Sequence, residues 1–390
     1  MSITRLHNES FDDFFVRVCE NKNVLGLTFD QVADILNTES GKTLGESAWR
    51  KKWKNFSNGM SYARKRMGND MMLEQARELE KQRIRISEER SALKKLIRED
   101  ARRDAVMDEI KEQILAQDPL PYYAPAYNVS WDGNGTLVVV ASDWHIGLSF
   151  NTPYGKYNSD IAYTRIMQYA EEVKAAAQLY RASKCIVAFA GDLISGQIHT
   201  TIRCENREQI VKQIKLASEY AARFISEIAG FFENVEVRSI GGNHSRVSEK
   251  DDAMLGEMLD DLVPFYIRAR LANCKNVHVY ERKYETGFES FYIGNKHTIL
   301  VHGDYDVLSE NGIAKLERLT QGVVDVLIGA HLHENVSRDM SKVHVLQGGT
   351  LSGSGDEYTF KKRLTCDPSQ LMAYFDANNK LRASIPVYFN

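Results

Sequence analysis

Apolar residues along the first sixty positions recur at the spacing of short helices. Phe11, Phe14, Phe15 and Val18 fall on one helical face, and Thr28-Phe29-Asp30-Gln31 reads as a capping box that opens a second helix with Val32 and Leu36 inward. Beyond a turn-like stretch with Gly41 and Gly45, Trp49, Trp53 and Phe56 stand at i, i+4 and i+7, while Arg50, Lys51 and Lys54 point elsewhere. That predicts a third helix, aromatic inside and basic outside. From about Asp70 to Ala116 there is neither Pro nor Gly, and Met72, Leu79, Ile86, Leu93, Met107 and Ile114 keep a seven-residue step broken only at Asp100. One long helix is expected there. Arg83 and Arg90 occupy places where a second apolar seam is wanted, so this helix either pairs with itself in a homodimer or lies singly along the next domain. Asp118-Pro119-Leu120-Pro121, followed by Tyr122, Tyr123 and Pro125, breaks it and marks a linker.

Beyond Trp131 the pattern changes to short β-branched runs alternating with amphipathic helices. Leu137 to Ala141, Cys185 to Ala190, Val235 to Ile240, Thr298 to Val301 and Val324 to Ile328 read as buried strands, with helices over Ser159 to Ala182 and Arg207 to Ala229. This alternation predicts an α/β layered domain, in which ligands gather beyond the carboxyl ends of the strands. The expected organisation is a helical module over 1–67, a long helix over 68–117, a linker over 118–134 and an α/β domain over 135–390.

Composition narrows the class. A chain of 390 residues exceeds one ordinary core, and 43% hydrophobic content with 7 Pro excludes a disordered polymer. No run approaches the roughly 18 apolar residues of a membrane span, and Met1 to Ser10 lack an apolar signal core, so a cytoplasmic protein without membrane contact is expected. The scattered Cys19, Cys185, Cys204, Cys274 and Cys366 include no CxxC pair, which argues against a zinc knuckle or a disulfide framework. The net charge of -3 hides a local concentration: Lys42 to Arg66 holds eight basic residues against Glu46 alone. Such a cluster attracts phosphate backbones. A trihelical unit with a basic last helix is the arrangement of helix-turn-helix DNA binders, which makes Arg50, Lys51 and Lys54 candidate DNA contacts; a small protein-interaction module is the competing reading.

Each of the five expected strands ends in a loop with metal-type donors: Asp143-Trp144-His145, Gly191-Asp192, Gly242-Asn243-His244, His302-Gly303-Asp304 and Gly329-Ala330-His331-Leu332-His333. Six of the ten histidines (those at 145, 199, 244, 302, 331 and 333) follow strand ends, which chance does not explain. Mixed His, Asp and Asn donors without thiolates suit Mn, Fe or Zn, with Mg also admissible.

In order and chemistry these five loops resemble the calcineurin-like metallophosphoesterase superfamily, whose motifs are DxH, GD, GNH, a His usually followed by Gly or Ala, and GHxH. The resemblance covers roughly Gly135 to Asn390 and implies a two-sheet β-sandwich flanked by helices, a four-layer arrangement. It further implies that Asp143, His145 and His333 hold one metal, that Asn243, His302 and His331 hold a second, and that Asp192 bridges both. A hydroxide between the two metals, preferably Mn, is then the nucleophile, and His244 stabilises phosphoryl charge or protonates the leaving alkoxide. The sequence departs from the pattern twice. Ser245 and Arg246 follow the GNH histidine where many members carry an acid, leaving Glu249, Asp251 or Asp252 as candidate partners for His244, and Ala330 is inserted in the fifth motif.

Asp143-Trp144-His145-Ile146-Gly147 and Gly191-Asp192-Leu193-Ile194 look like the opening motifs of SbcD-type DNA repair exonucleases. The order of helical module, helix and phosphoesterase, with a tail such as Gly355-Asp356-Glu357-Tyr358 to Lys361-Lys362-Arg363, resembles bacteriophage metallophosphoesterases. A DNA phosphodiesterase, exonuclease or endonuclease, is therefore expected, with Trp144, His199, Arg203 and Arg246 as candidate substrate contacts. A phosphomonoesterase of nucleotides or phosphoproteins, and a DNA-binding or assembly protein with a structural metal domain, are the alternatives.

Overall fold

A computed structural model describes residues 3–116, 118–120, 135–198, 200–248, 258–282 and 287–390. The chain divides into two compact units, Met1–Arg102 and Arg103–Asn390.

In the first unit, α1 (Phe11–Glu20) and α2 (Phe29–Ser40) precede α3 (Glu46–Leu115). Ser10 caps α1 by accepting from the Asp13 amide, and Thr28 and Gln31 form the expected capping box on α2. Phe14, Val18, Val32, Leu36 and Trp49 are fully buried together, and the Trp49 indole donates to Asn37 Oδ1 at 3.0 Å. Asn37 also bonds both backbone groups of Leu44, which fixes the α2–α3 turn. Phe56 departs from the expected core position. It is 41% exposed, at the edge of the cluster, with its ring stacked on Trp53. The expected third helix and long helix are one element, because Gly59 and Gly68 each weaken a helix by only about 1 kcal/mol and no Pro intervenes. Met72, Leu79, Ile86 and Leu93 of the seven-residue step are exposed, whereas Ile114 is buried in the core of the second unit. Of the expected linker, Asp118 and Leu120 bond to Arg270, and residues 121–134 lie outside the described residues.

The second unit contains β1 (Gly135–Ala141), β2 (Phe150–Thr152), β3 (Gly155–Tyr157), α4 (Ser159–Tyr180), β4 (Ala182–Phe189), α5 (Thr200–Glu205), α6 (Ile210–Ala229) and β5 (Asn234–Ser239). These are followed by α7 (Leu262–Arg270), β6 (Val277–Val279), β7 (Phe288–Ile293), β8 (Lys296–Val301), α8 (Glu310–Thr320) and β9 (Val326–Gly329). The chain closes with β10 (Val336–Met340), β11 (Val343–Gln347), α9 (Glu357–Lys362), β12 (Ser369–Phe375) and β13 (Leu381–Tyr388). One sheet has the order β13-β12-β1-β4-β5-β6, a second β10-β11-β9-β8-β7, and β2-β3 is a separate hairpin. The period of two along each strand sorts the core. Val138, Val140, Ile186 and Ala188 of the first sheet meet Leu300, Val326, Ile328 and Leu346 of the second. Leu137, Val139, Cys185, Val187, Val235 and Val237 face α4, α6 and α7, and Ile299, Val301, Leu327 and Val345 face α8. Helices, sheet, sheet and helix make four layers, as expected. Among the described residues no helix is long and apolar enough to cross a membrane.

Candidate metal centre

The central strands of the first sheet are parallel and end level, because Ala141 pairs with Phe189 and Phe189 with Ser239. The loops that follow them therefore emerge at one edge. In the second sheet, Leu300 pairs with Ile328, and the Ala330 amide donates to the His302 carbonyl, so the remaining two loops leave level as well. Asp143, His145, Asp192, His331 and His333 all have positive φ, between 47° and 71°, a region that non-glycine residues seldom occupy. Left-handed residues on either side of Trp144, and again on either side of Leu332, turn each pair of ligand-type side chains inward together. Gly242 is required by the same crowding: a Cβ there would lie 2.1 Å from Asp192 Oδ1.

Asp143, His145 and His333 offer one donor atom each within 4.8 Å of one another, as do Asp192, His302 and His331. Asp192 also groups with His145 and His244, which makes it the side chain common to both halves of the cluster. The His145 and His333 Nε2 atoms face each other at 3.2 Å, and Asn243 Oδ1 lies 3.0 Å from His302 Nε2, which in turn is 3.0 Å from Asp192 Oδ2. All seven expected ligand positions are thus brought together. A cation fits this donor set. Asp143 Oδ1 is fully buried without a hydrogen-bond partner, and ring nitrogens of His333 and His145 lie 3.4 and 3.8 Å from it.

Electrostatics point the same way. Burial raises both carboxyls, but the adjacent His333 imidazole brings Asp143 below its ordinary range, and the charges of His302 and His244 bring Asp192 well below. Against the cost of burial, Asp192 raises His302 to about 10, and Asp143 and Cys366 raise His333 to about 10. Burial and the neighbouring imidazoles push His145 well down, and burial with His302 lowers His331. These are groups that proton and metal contest.

His244 stands beside this cluster. Its ring centroid is 4.6 Å from that of His145, its amide donates to Asp192 Oδ1 at 2.8 Å, and its Nδ1 is 2.9 Å from the Ser195 carbonyl. A carbonyl can only accept, so Nδ1 carries a proton and Nε2, 3.9 Å from Asp192 Oδ2, is the atom turned to the site. The expected acidic partners Glu249, Asp251 and Asp252 lie outside the described residues, as does His199.

Two expected substrate contacts are corrected. Trp144 is fully buried, edge-on to Phe189 and Phe224, with its indole donating to Gln370, because the turn that directs Asp143 and His145 inward sends the residue between them into the core. Base stacking is excluded by that burial. Arg246 is 5% exposed, paired with Asp304 and lying over the Tyr305 ring at 4.9 Å, so it joins the loops after β5 and β8 instead of reaching into solvent. Arg203 stands exposed on α5, and Arg50, Lys51 and Lys54 stand exposed on α3, where Arg50 pairs with Glu46 and covers the Phe29 ring.

Sequence reasoning missed three supporting groups. The Ala190 carbonyl lies 2.7 Å from His302 Nδ1 and orients that ring. Asp260 is buried behind Asp192, accepts from the Gly242 and Leu193 amides, and is raised to about 7 by burial and by the Asp192 charge. Cys366, one of five unpaired cysteines, lies beside His333 and helps to raise it. Asp260 follows residues with no motif, and a lone cysteine remote in sequence gives no local signal.

The fold and the donor set together define a four-layer α/β protein with a candidate dinuclear centre on one edge of its sandwich. The family model for the YonJ N-terminal domain matches residues 1–68. Along most of its length the chain is similar to the SPbeta prophage-derived uncharacterized protein YonJ of Bacillus subtilis (strain 168), with 23% identity and 91% of each chain covered. Among solved structures it is similar to the zinc complex of Vps29 from Entamoeba histolytica, with 13% identity, 65% of this chain and 99% of that chain covered, and a TM-score of 0.31. A novel archaeal phosphodiesterase aligns at 11% identity over 64% of this chain and 99% of its own, with a TM-score of 0.30. What the centre can do follows from its own geometry.

Proposed function

We propose that this chain is a two-metal-dependent phosphodiesterase that hydrolyses DNA, with the N-terminal helical module binding the substrate. The observation that carries this reading is Asp192, a buried carboxylate that groups with His302 and His331 on one side and with His145 and His244 on the other. A shared carboxylate offsets the repulsion between neighbouring cations. Asp143, His145 and His333 would hold one cation, and Asn243, His302 and His331 the other. When bound, two such ions, Mn being well matched to these donors, supply Lewis acidity at phosphorus and bring a water to the hydroxide state near neutral pH. The chain's own part is to place a proton. With Nδ1–H held by the Ser195 carbonyl, the doubly protonated His244 ring presents Nε2–H, whose proton passes to the leaving alkoxide and leaves the neutral Nδ1–H imidazole. Asp260 holds the Gly242 and Leu193 backbone on which Asp192 and Asn243 depend.

DNA is favoured over a small phosphate ester by the basic face of α3, where Arg50, Lys51 and Lys54 are exposed over an aromatic core. The test is hydrolysis of bis-p-nitrophenyl phosphate against p-nitrophenyl phosphate by Mn-loaded protein, then of labelled DNA. Preference for the diester and cleavage of DNA are expected. Preference for the monoester with intact DNA would move the assignment to a phosphomonoesterase.

A further inference from the structure

Three segments distant in sequence meet beside the metal centre. The β2–β3 hairpin follows the first motif, α5 follows the second, and α9 lies beyond β11. Leu148 and Asn206 form a β-bridge, the Ser149 amide donates to the Glu205 carbonyl at 3.0 Å, and Thr152 Oγ1 donates to the Gly355 carbonyl at 3.2 Å. α9 packs on α5, with the Glu357 amide donating to Glu205 Oε1 at 2.9 Å, and the Tyr154 ring rests edge-on against Phe360, 5.0 Å between centroids. This wall adjoins the donors through the stretch that leads into its third segment. Thr350 and Leu351, before α9, donate to the Asp143 carbonyl at 3.0 Å.

The wall's outer residues have a distinctive chemistry. Arg203 of α5, Lys361 and Lys362 of α9 and Arg363 just after it are exposed, interleaved with Tyr154 at 74% and Tyr358 at 43% exposure. Its acids are engaged within it: Asp356 caps α9, Glu357 pairs with Lys361 at 2.5 Å, and Glu205 accepts the α9 amide. These four cations exceed the three acids by one, with Arg203, Lys362 and Arg363 facing outward beyond the Lys361–Glu357 pair, and two tyrosine faces that a folded core would cover are open.

We infer that the wall formed by the β2–β3 hairpin, α5 and α9 is a track for single-stranded nucleic acid leading to the metal centre. Cations alone would suit any polyanion. Open aromatic rings among them select a strand with unpaired bases, since stacking needs a free base face, whereas a duplex offers only its backbone. The inference rests on the phosphodiesterase reading for what happens at the end of the track, and not for binding along it.

The test uses the full Mn-loaded chain with three substrates: a short oligothymidylate, a duplex of the same length, and bis-p-nitrophenyl phosphate, which is too small to span the wall. The wild type should favour oligothymidylate over duplex. K361A/K362A/R363A should raise KM for oligothymidylate roughly tenfold or more, and lower the slope of log affinity against log salt by about 0.7 for each phosphate no longer neutralised. Y154A/Y358A should raise KM by roughly tenfold with an unchanged salt slope. Both variants should hydrolyse bis-p-nitrophenyl phosphate as the wild type does, which also shows that they fold. Variants that cleave oligothymidylate with wild-type KM and salt dependence would overturn the track, as would a wild type that prefers duplex. Fluorescence anisotropy with labelled oligothymidylate separates this inference from the functional reading. Binding that weakens in the variants, without cleavage by the wild type, keeps the track and removes the nuclease; neither binding nor cleavage removes both.

Discussion

In the second unit, histidines and aspartates that follow strands are buried and twisted at the backbone; along α3, Leu79, Ile86 and Leu93, which keep a seven-residue step, stand in the open. His145 is 3% exposed with φ of 47°, whereas Leu79 is 62% exposed within a regular helix. The first arrangement is unfavourable unless something is gained at the site, because buried imidazoles and carboxylates lose hydration and left-handed backbone costs about 1 kcal/mol or more per residue. The second is ordinary helix chemistry, with ion pairs such as Lys81–Glu78 and Arg85–Glu89 along the surface. Strain and buried charge therefore mark where chemistry resides, and an exposed amphipathic stripe marks only a face that apolar cover would stabilise.

That contrast sets the order of expected effects. Asp192→Asn removes the charge that lies beside His302 and His331 and also beside His145, so metal retention at both groups should fall together and turnover should drop by roughly a thousandfold or more, measured by metal analysis alongside diester hydrolysis. Loss of one ion alone would separate the two groups. His244→Ala should leave metal content nearly intact and slow turnover by roughly a hundredfold; metal loss in that variant would make His244 a ligand. Asp260→Ala, which removes the support under Gly242 and Leu193, should weaken metal affinity by roughly tenfold to a hundredfold.

The pH dependence has a definite sign. His302 and His333, raised to about 10 by Asp192 and Asp143, must lose protons to accept a cation. Metal uptake should release protons, and apparent Mn affinity should strengthen as pH rises from about 6 to about 8, measured by titration calorimetry in buffers of different ionisation enthalpy. Stability of the metal-free protein runs oppositely: the raised histidines contribute below their unfolded value and lose that contribution as pH approaches 10. The depressed Asp143 and Asp192 contribute above the ordinary carboxylate range and lose it on acidification. An Mn affinity independent of pH would contradict these assignments.

The smallest effect belongs to α3. Replacing Arg50, Lys51 and Lys54 with Ala should leave diester hydrolysis and the fold intact and weaken DNA binding, lowering the slope of log affinity against log salt by about one for each phosphate no longer neutralised. A fragment of residues 1–67 that folds but shows no salt-dependent DNA binding would turn this module towards protein interaction.

The same contrast explains what was legible in the sequence. Strands such as Leu137 to Ala141 and Cys185 to Ala190 are buried on both faces and read as continuous apolar runs, so they stand out. β10 and β13 lie at sheet edges with largely exposed or half-buried residues, and Pro386 within β13 speaks against a strand, so neither has a readable pattern. Ligand-type residues were readable because glycine and short polar side chains at strand ends have a restricted chemistry. Trp144 misled because adjacency in sequence says nothing about which way a left-handed turn sends each side chain. Asp260 and Cys366 reach the site only through the packing of distant loops.

The central claim is that Asp192 joins two metal ions in one centre. Metal-free protein titrated with Mn, followed by elemental analysis and by hydrolysis of bis-p-nitrophenyl phosphate at each step, tests it most directly. Two ions per chain, with activity rising until the second is bound, is the predicted result; full activity at a stable stoichiometry of one would contradict it.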